Sequence, residues 1–399
     1  MGTAASIHDE IKGWEQDLIA TRRDLHMHPE LGFEEFRTSG IVAERLRGIG
    51  YDDVQTGIAV TGVKAVLRGG RPGKTLLLRA DMDALPIAEE SDAEYRSQNP
   101  GVMHACGHDA HTAMLLTAAR VLLHRREEIP GTIVLCFQPA EEGLGGAKRM
   151  LDEGVLAHPQ VDAALGLHVA QDLPLGIIMA YSGAGIAAAD IFDVTIQGRG
   201  GHAAMPHTTV DALMVAATIM TTLQTLVSRE VDPLSPAVVT TGFLHAGGTA
   251  HNVVADTATF GGTVRWFDRP TGELLARRLP TLIEGLAASM QASAEVAYTR
   301  VVQPTVNEPG MAALIREVAA AVPEVTGAIS GTKVMGSEDF SEFTQRVPAA
   351  FFAVGTRDEA SGKVWGHHHP KFDIDERAMA IGVGVMVRSA LSWLEHNAG

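Results

Sequence analysis

Three short apolar runs end abruptly in polar clusters, and they limit what this chain can fold into more than any other feature. KTLLL runs into RADMDALP, GTIVLCF into QPAEEG, and DAALGLH into its own histidine; a fourth run, AAFFAVG, lies upstream of WGHHHPKFD. Runs without polar alternation read as strands buried on both faces, the habit of parallel sheets. Helical spacing separates them. Ile7, Ile11, Trp14, Leu18 and Leu25 predict a helix from Ile7 to His28, stopped by Pro29, with a second over 34–48. Further helices are expected over 115–124, 143–153 and 376–395, and strands over 131–137 and 161–168. Strands alternating with helices predict an α/β fold, a mostly parallel-sheet domain covered by helices.

The pattern changes between about 188 and 300. There DIFDVTIQG, a helix over 210–228, AVVTTGFLHA, TATFGGTVRWF, a helix over 271–291 and EVAYTRVV follow one another. That is the β-α-β-β-α-β order of a ferredoxin-like α+β unit. The expected division is therefore 1–187 plus 301–399 for one domain and 188–300 for an insertion into it. Two domains also suit 399 residues.

Charge and cysteine content exclude whole classes. A formal net charge of −16 without a long basic run argues against nucleic acid, whose binding needs clustered cations. Two cysteines, Cys106 and Cys136, cannot build a disulfide framework, and they fit a reducing compartment. The first residues show no basic region followed by an apolar core, and no apolar run suggests a membrane span, so a soluble cytoplasmic protein is expected. MGTAAS fits a loose myristoylation pattern through Gly2 and Ser6, too short to weigh against this.

In open α/β sheets, ligands gather beyond the carboxyl ends of strands, which is where the polar clusters here fall. HACGHDAHT puts three histidines, a cysteine and an aspartate into nine residues, side chains suited to transition metals. Taken alone, Cys106-Gly107-His108 also fits a buried cysteine beside surface histidines, and Glu141 and Glu142 fit an exposed helix start. Cys136 reads as an inert core residue, His104 and His111 as residues behind the cluster or facing solvent, and Met205, Met214 and Met220 as packing residues. The glycines of GLGGAK lack phosphate-loop spacing and are assigned to turns.

The order and spacing of HPELGFEE, RADMDALP, MHACGHDAHT, QPAEEG, GLHV, GRGGHAAMPH, HNVVAD, GGTVR, GSEDF and HHPKFDIDE go further. Over nearly its whole length the chain resembles the M20 metallopeptidase superfamily, in the branch of hippurate hydrolases, N-acyl-amino-acid amidohydrolases and auxin-conjugate hydrolases. The resemblance implies two divalent ions (zinc, manganese, cobalt or nickel) held by Cys106, His108, Glu142, His168 and His368, with Glu141 as general base. The family's H-x-P spacing selects His368, with His367 and His369 as alternatives. Asp81 is implied as an orienting residue, whereas Arg79 stands where related branches carry a histidine ligand. His202 is implied to reach a partner subunit's active site, Asn252 and Arg265 to bind substrate, and the inserted domain to form a homodimer. The substrate implied is a small N-acylated amino acid. Two other readings remain: Cys106 as a nucleophile without metal, and a metal-dependent binding protein that has lost turnover.

Overall fold

A computed structural model of the protein describes residues 6–398, so Gly2 of the myristoylation pattern lies outside the described residues. The chain forms two compact units, one of residues 1–183, 306–332 and 339–399, the other of 184–305 and 333–338.

The first unit is built on an eight-stranded sheet. Its spatial order is Asp53–Ile58, Gly62–Arg68, Pro130–Gln138, Arg71–Asp81, Ala163–Pro174, Ala349–Arg357, Ile177–Ala180 and Gly327–Ile329. The central strands Pro130–Gln138, Arg71–Asp81, Ala163–Pro174 and Ala349–Arg357 run parallel. Antiparallel pairings occur only toward the two sides, where Gly62–Arg68 meets its neighbours and Ile177–Ala180 meets Ala349–Arg357. Leu76, Leu77 and Leu78 are fully buried, as a strand covered on both faces requires. Helices Ile7–Met27, His108–His124 and Arg377–His396 pack on one another and on the sheet, sharing a core with Leu18, Met114 and Val385.

Helix starts depart from the sequence expectation where they matter most. The helix expected over 115–124 begins at His108, because Gly107 takes a left-handed φ of 91° and turns the chain into the helix. Its first turn carries His108, Asp109 and His111, too polar to register as an apolar repeat. The helix expected over 143–153 instead spans Gly146–Asp152, since Gly143 and Gly145 also have positive φ and form the turn before it.

The second unit has a four-stranded antiparallel sheet in the order Ala237–Ala246, Thr257–Trp266, Ala188–Gln197, Ser293–Val302. Helices Ala212–Thr225 and Arg269–Ser289 bury Ile219, Leu223, Leu279 and Ile283 in its core. It takes in 333–338 as well, because the N–H of Ala187 donates to the carbonyls of Val334 and Gly336. Met220 packs against this core as expected, but Met205 and Met214 are exposed.

Ala212–Glu230 and Arg377–His396 have the length and mean hydropathy of a membrane span, 1.2 and 1.3, contrary to the sequence reading. Arg377–His396 owes this to its core position, with Met379, Val383, Val387 and Leu394 fully buried or nearly so.

Two glycines test the local backbone logic. Gly107→Ala forces a side chain onto a left-handed residue and sets its Cβ 2.4 Å from a Val169 methyl. It is expected to cost at least about 1–3 kcal/mol in urea unfolding. Gly13→Ala, in open space on helix Ile7–Met27, is expected to stabilise by about 0.4–1 kcal/mol. Equal effects would contradict the assignment of Gly107 to a backbone role.

Candidate metal centre

The polar clusters at the strand ends converge. Arg71–Asp81 delivers Asp81 and, just beyond it, Asp83; Pro130–Gln138 leads into Glu141 and Glu142; Ala163–Pro174 carries His168; and the Gly107 turn presents Cys106 and His108. The turn before the glutamates is held from behind. Ala140 adopts a left-handed φ of 55°, and its N–H donates to Glu35 Oε1 at 2.8 Å, a carboxylate fully buried and also accepting from Thr61. A strained non-glycine backbone, anchored in this way, fixes where the next two side chains point.

Five groups of ligand atoms result among the described residues; Asp81 with His108 and His111, and Glu141 with Glu338 and Asp339, are two, and the other three gather the prospective ligands. Cys106, His108 and His168 form one; Cys106, Glu142 and His368 a second; His108, Glu141 and Glu142 a third. Within each group the atoms lie within 4.8 Å of one another, close to the separation of about 4.6 Å that two ligands at ~2.0–2.3 Å from one ion can reach. Cys106 is common to the first two. Cys106 would thus be a shared donor if both groups held an ion. All five residues proposed from the sequence as ligands are therefore gathered, with Glu141 beside them.

The hydrogen bonds show which imidazole nitrogens are free to coordinate. His108 Nδ1 faces Asp83 Oδ1 at 3.2 Å, while its buried Nε2 has no hydrogen-bond partner. His168 Nδ1 donates to the carbonyl of Val169 at 2.6 Å, which directs Nε2 toward Cys106 Sγ, 3.5 Å away. A metal-bound histidine has this pattern: one nitrogen held by a carboxylate or carbonyl, the other left for the ion. His368 Nε2 lies 3.3 Å from Glu142 Oε1 and its backbone has φ 63°, anchored by an N–H donated to Ala105 O. His367 Nε2 instead accepts from the N–H of Gln171, and His369 Nδ1 accepts from Lys371 N–H. The geometry thus favours His368 among the three.

His111 behaves differently. It is fully buried, with Nδ1 2.5 Å from Asp81 Oδ1 and Nε2 accepting from the N–H of Val169. Burial, helped by His168, pushes its pKa down to about 3, so it is neutral and both nitrogens are used. Neither His111 nor His104, also buried, faces solvent. Asp81 accepts from Arg79 at 2.6 Å through its other oxygen, 3.8 Å from His108 Nε2. Burial opposes its ionisation, but the charges of His108 and Arg79 and the hydrogen bond from His111 prevail and hold the carboxyl well below its usual range. Asp81 thus orients His111 and Arg79. Arg79 is fully buried and also binds Asp339 and Gln138.

Asp83 went unnoticed in the sequence. One of its oxygens faces His108 Nδ1 and the other accepts the N–H of Glu142 at 3.0 Å, so it ties two prospective ligands together. Its position two residues beyond Asp81 was the available signal. Cys136 is fully buried and its thiol is pushed up to about 12 by burial, an inert residue.

In the second unit, His202 and Asn252 sit together: His202 pairs with Val253, and the carbonyl of Asn252 accepts from Ala203 N–H. Both side chains are exposed. Arg265 is elsewhere. It lies near the far end of strand Thr257–Trp266, eight residues and so about 26 Å at roughly 3.3 Å each from Thr257, the end of the strand nearer in sequence to Asn252. Within one chain, Arg265 and Asn252 are not brought together. Among the described residues Arg265 has no carboxylate within ion-pair distance; half-burial lowers its pKa, with Asp190 opposing.

Residues 77–392 match the family described as Peptidase family M20/M25/M40. An IAA-amino acid hydrolase, ILR1-like 2 of Arabidopsis thaliana, is 39% identical over 98% of this chain and 87% of its own length. The N-acetyl-L-cysteine deacetylase of Bacillus subtilis is 37% identical over 96% of this chain and 89% of its own. Among solved structures, the Bacillus subtilis YXEP protein, described as a dinuclear metal binding peptidase from M20 family, superimposes with a TM-score of 0.84. It is 33% identical, and the match covers 96% of this chain and 99% of that one.

Asp83→Ala removes the acceptor of both His108 and the Glu142 backbone. Affinity for divalent metal, measured by chelator competition, is expected to fall about 10–100-fold, and Asp83→Asn, which keeps one acceptor oxygen, less. Unchanged affinity in Asp83→Ala would remove Asp83 from the centre.

Proposed function

This chain belongs to peptidase family M20/M25/M40, a family of hydrolases, and we propose that it is a two-metal amidohydrolase that splits small N-acylated amino acids into a carboxylic acid and a free amino acid. The observation that carries the reading is the pair of ligand groups sharing Cys106, set beside a glutamate, Glu141, that the pair does not use. The donor set of thiol, imidazole and carboxylate suits zinc, manganese, cobalt or nickel, and the unpartnered, buried Nε2 of His108 fits a site completed by a cation.

In this reading Cys106, His108 and His168 hold one ion and Cys106, Glu142 and His368 the other. Bound ions supply Lewis acidity toward the amide carbonyl and make water nucleophilic near neutral pH. Glu141 takes the proton of the attacking water and delivers it to the leaving nitrogen. Its Oε1 accepts the N–H of Asp339 at 3.3 Å, which steadies it in place. Asp83 keeps His108 oriented through Nδ1, and Asp81 does the same for His111 behind His168. A thiolate nucleophile fits poorly. Burial pushes the Cys106 thiol well above its ordinary value, with Glu142 and Glu141 adding to burial and His108 opposing it.

The second unit is assigned dimerisation. Leu213, Met214, Phe243 and Val253 are exposed there, apolar surface that a partner would cover. His202 then serves the partner's active site as an oxyanion donor. Arg265 is assigned to the substrate carboxylate, which it can grip through two parallel hydrogen bonds. Because Asn252 sits with His202 and far from Arg265, a carboxylate read by both residues draws them from different subunits. The relatives named for IAA-amino acid conjugates and N-acetylcysteine support the substrate class, and hippurate belongs to the same chemistry. The free cysteines Cys106 and Cys136 are compatible with a reducing cytoplasm.

Hydrolysis of N-acetyl, N-benzoyl and indole-acyl amino acids, each assayed with added divalent ions, tests the reading. At least one series is expected to be cleaved, and to be lost on chelation. Glu141→Gln is expected to keep two bound ions while turnover falls by about 10²–10⁴ or more; Glu142→Gln is expected to lose metal as well. Normal turnover in Glu141→Gln would overturn its role.

Substrate and partner assignments have their own checks. Amidating the substrate carboxylate is expected to lower kcat/KM by about 10–100-fold, the equivalent of a charge-assisted hydrogen bond. Arg265→Ala is expected to erase most of that difference, and equal cleavage of both substrates by the unaltered enzyme would point to a general deacylase. Mixing inactive Glu141→Gln and His202→Ala chains is expected to restore partial activity in heterodimers; heterodimers that form but stay inactive would refute action in trans.

A further inference from the structure

Behind the metal centre lies a second set of charges that the reaction does not use. Arg22, on helix Ile7–Met27, is fully buried. Its Nε donates to Asp109 Oδ2 at 2.8 Å, one terminal nitrogen to Asp373 Oδ1 at 2.8 Å, and the other to Glu376 Oε1 at 3.3 Å. Tyr95 lies beside the guanidinium, 4.8 Å from its ring centre, and donates its hydroxyl to Asp373 Oδ2. Burial opposes the charge, but Asp109 and Asp373 outweigh it and raise the Arg22 pKa well above the usual value.

The places of these acids in the sequence matter. Asp109 directly follows His108, in the first turn of its helix, and Asp373 comes five residues after His368. The intervening segment is folded tightly, since Phe372 N–H donates to His369 O and Phe372 packs on His367 at 4.9 Å between ring centres. Pro370 is tied as well, its carbonyl accepting Glu90 N–H. One rigid, forked cation thus holds the segment of Cys106 and His108 and the segment of His368. These two segments are far apart in the chain and supply ligands to both prospective ion sites.

We infer that Arg22 is a positioning residue that locks the His368 arm to the Cys106–His108 turn, so that the second ion, held by Cys106, Glu142 and His368, binds tightly only while its guanidinium joins Asp109 to Asp373. The inference rests on the two-metal reading above. Lysine cannot replace it, because a single ammonium lacks the planar fork that reaches acids on three sides. The first ion, which Cys106, His108 and His168 would hold, takes no ligand from the 368–373 segment, and its two histidines are oriented by Asp83 and the Val169 carbonyl.

The test is zinc titration of the full-length apo protein by chelator competition, together with urea unfolding of the same apo samples. The unaltered protein is expected to bind two equivalents, and His368→Ala identifies the one that depends on the second site. In Arg22→Lys the first equivalent is expected to stay within about twofold, while the second weakens about 10–100-fold. Adding Arg22→Lys to His368→Ala is expected to cause no further loss of zinc affinity. If Arg22→Lys fails to fold, Asp373→Asn, which loosens only the 368–373 side of the clamp, is expected to show the same selective loss. Two equivalents bound with unaltered affinity would refute the inference. Equal weakening of both, in step with lower apo stability, would also refute it by reducing Arg22 to a structural role. An unaltered protein that binds no zinc at all would instead sink the two-metal reading itself.

Discussion

Asp81, Asp83 and Asp109 bring three carboxylates into an interior where an unpaired charge costs several kcal/mol, and the rest of the structure is arranged to answer them. Asp81 is met by Arg79 and His111, Asp83 by His108 and the Glu142 backbone, Asp109 by Arg22 and His26. Apart from Arg79 with Asp81, on one strand, these pairings join elements distant in sequence. The Asp81 contacts hold the end of strand Arg71–Asp81 to helix His108–His124, while Asp83 also reaches the turn after Pro130–Gln138. Burial removes water as a competitor, so these bonds are strong and directional, and directionality is what a ligand cage needs. The cost of burying the charges is thereby turned into the positional precision of the centre.

Much of this could be read from the sequence because the central strands are buried on both faces. KTLLL and GTIVLCF stand out as unbroken apolar runs, and a run that ends in charged residues marks the edge of the core. Glu141, Glu142 and His168 sit at or just beyond those edges, but it was the family resemblance of the motifs, not residue type and spacing alone, that named the five prospective ligands and Glu141. The antiparallel unit was legible through the order of its strands and helices between DIFDVTIQG and EVAYTRVV.

What escaped the sequence was set by geometry rather than composition. The helix that starts at His108 was expected seven residues later, because its first turns face the polar centre and break the apolar period. Asp83 and Arg22 look like ordinary charged residues in a chain that is 20% charged; only the fold shows that both are buried and what each one holds. Glu35 is hidden in the same way, supporting the Ala140 turn from the far side of the motif HPELGFEE. The exposure of Met205 and Met214 was missed because an apolar side chain reads alike whether it packs within its own chain or awaits another.

Departures from pairing are then the informative residues. In an interior where most buried charges are hydrogen-bonded, His108 Nε2 has no hydrogen-bond partner, with Asp81 3.8 Å away, and Arg265, half-buried among the described residues, faces no carboxylate at ion-pair distance. A protein of net charge −16 repels small anions at long range, so an anionic substrate has to be drawn in by a local cation that is not already neutralised. Arg79 and Arg22 cannot serve, since their guanidiniums are already occupied by Asp81, Asp339, Asp109 and Asp373. Arg265 can. The same rule that ties the metal centre together by pairing charges thus leaves the half-buried Arg265, among the described residues, without a carboxylate at ion-pair distance.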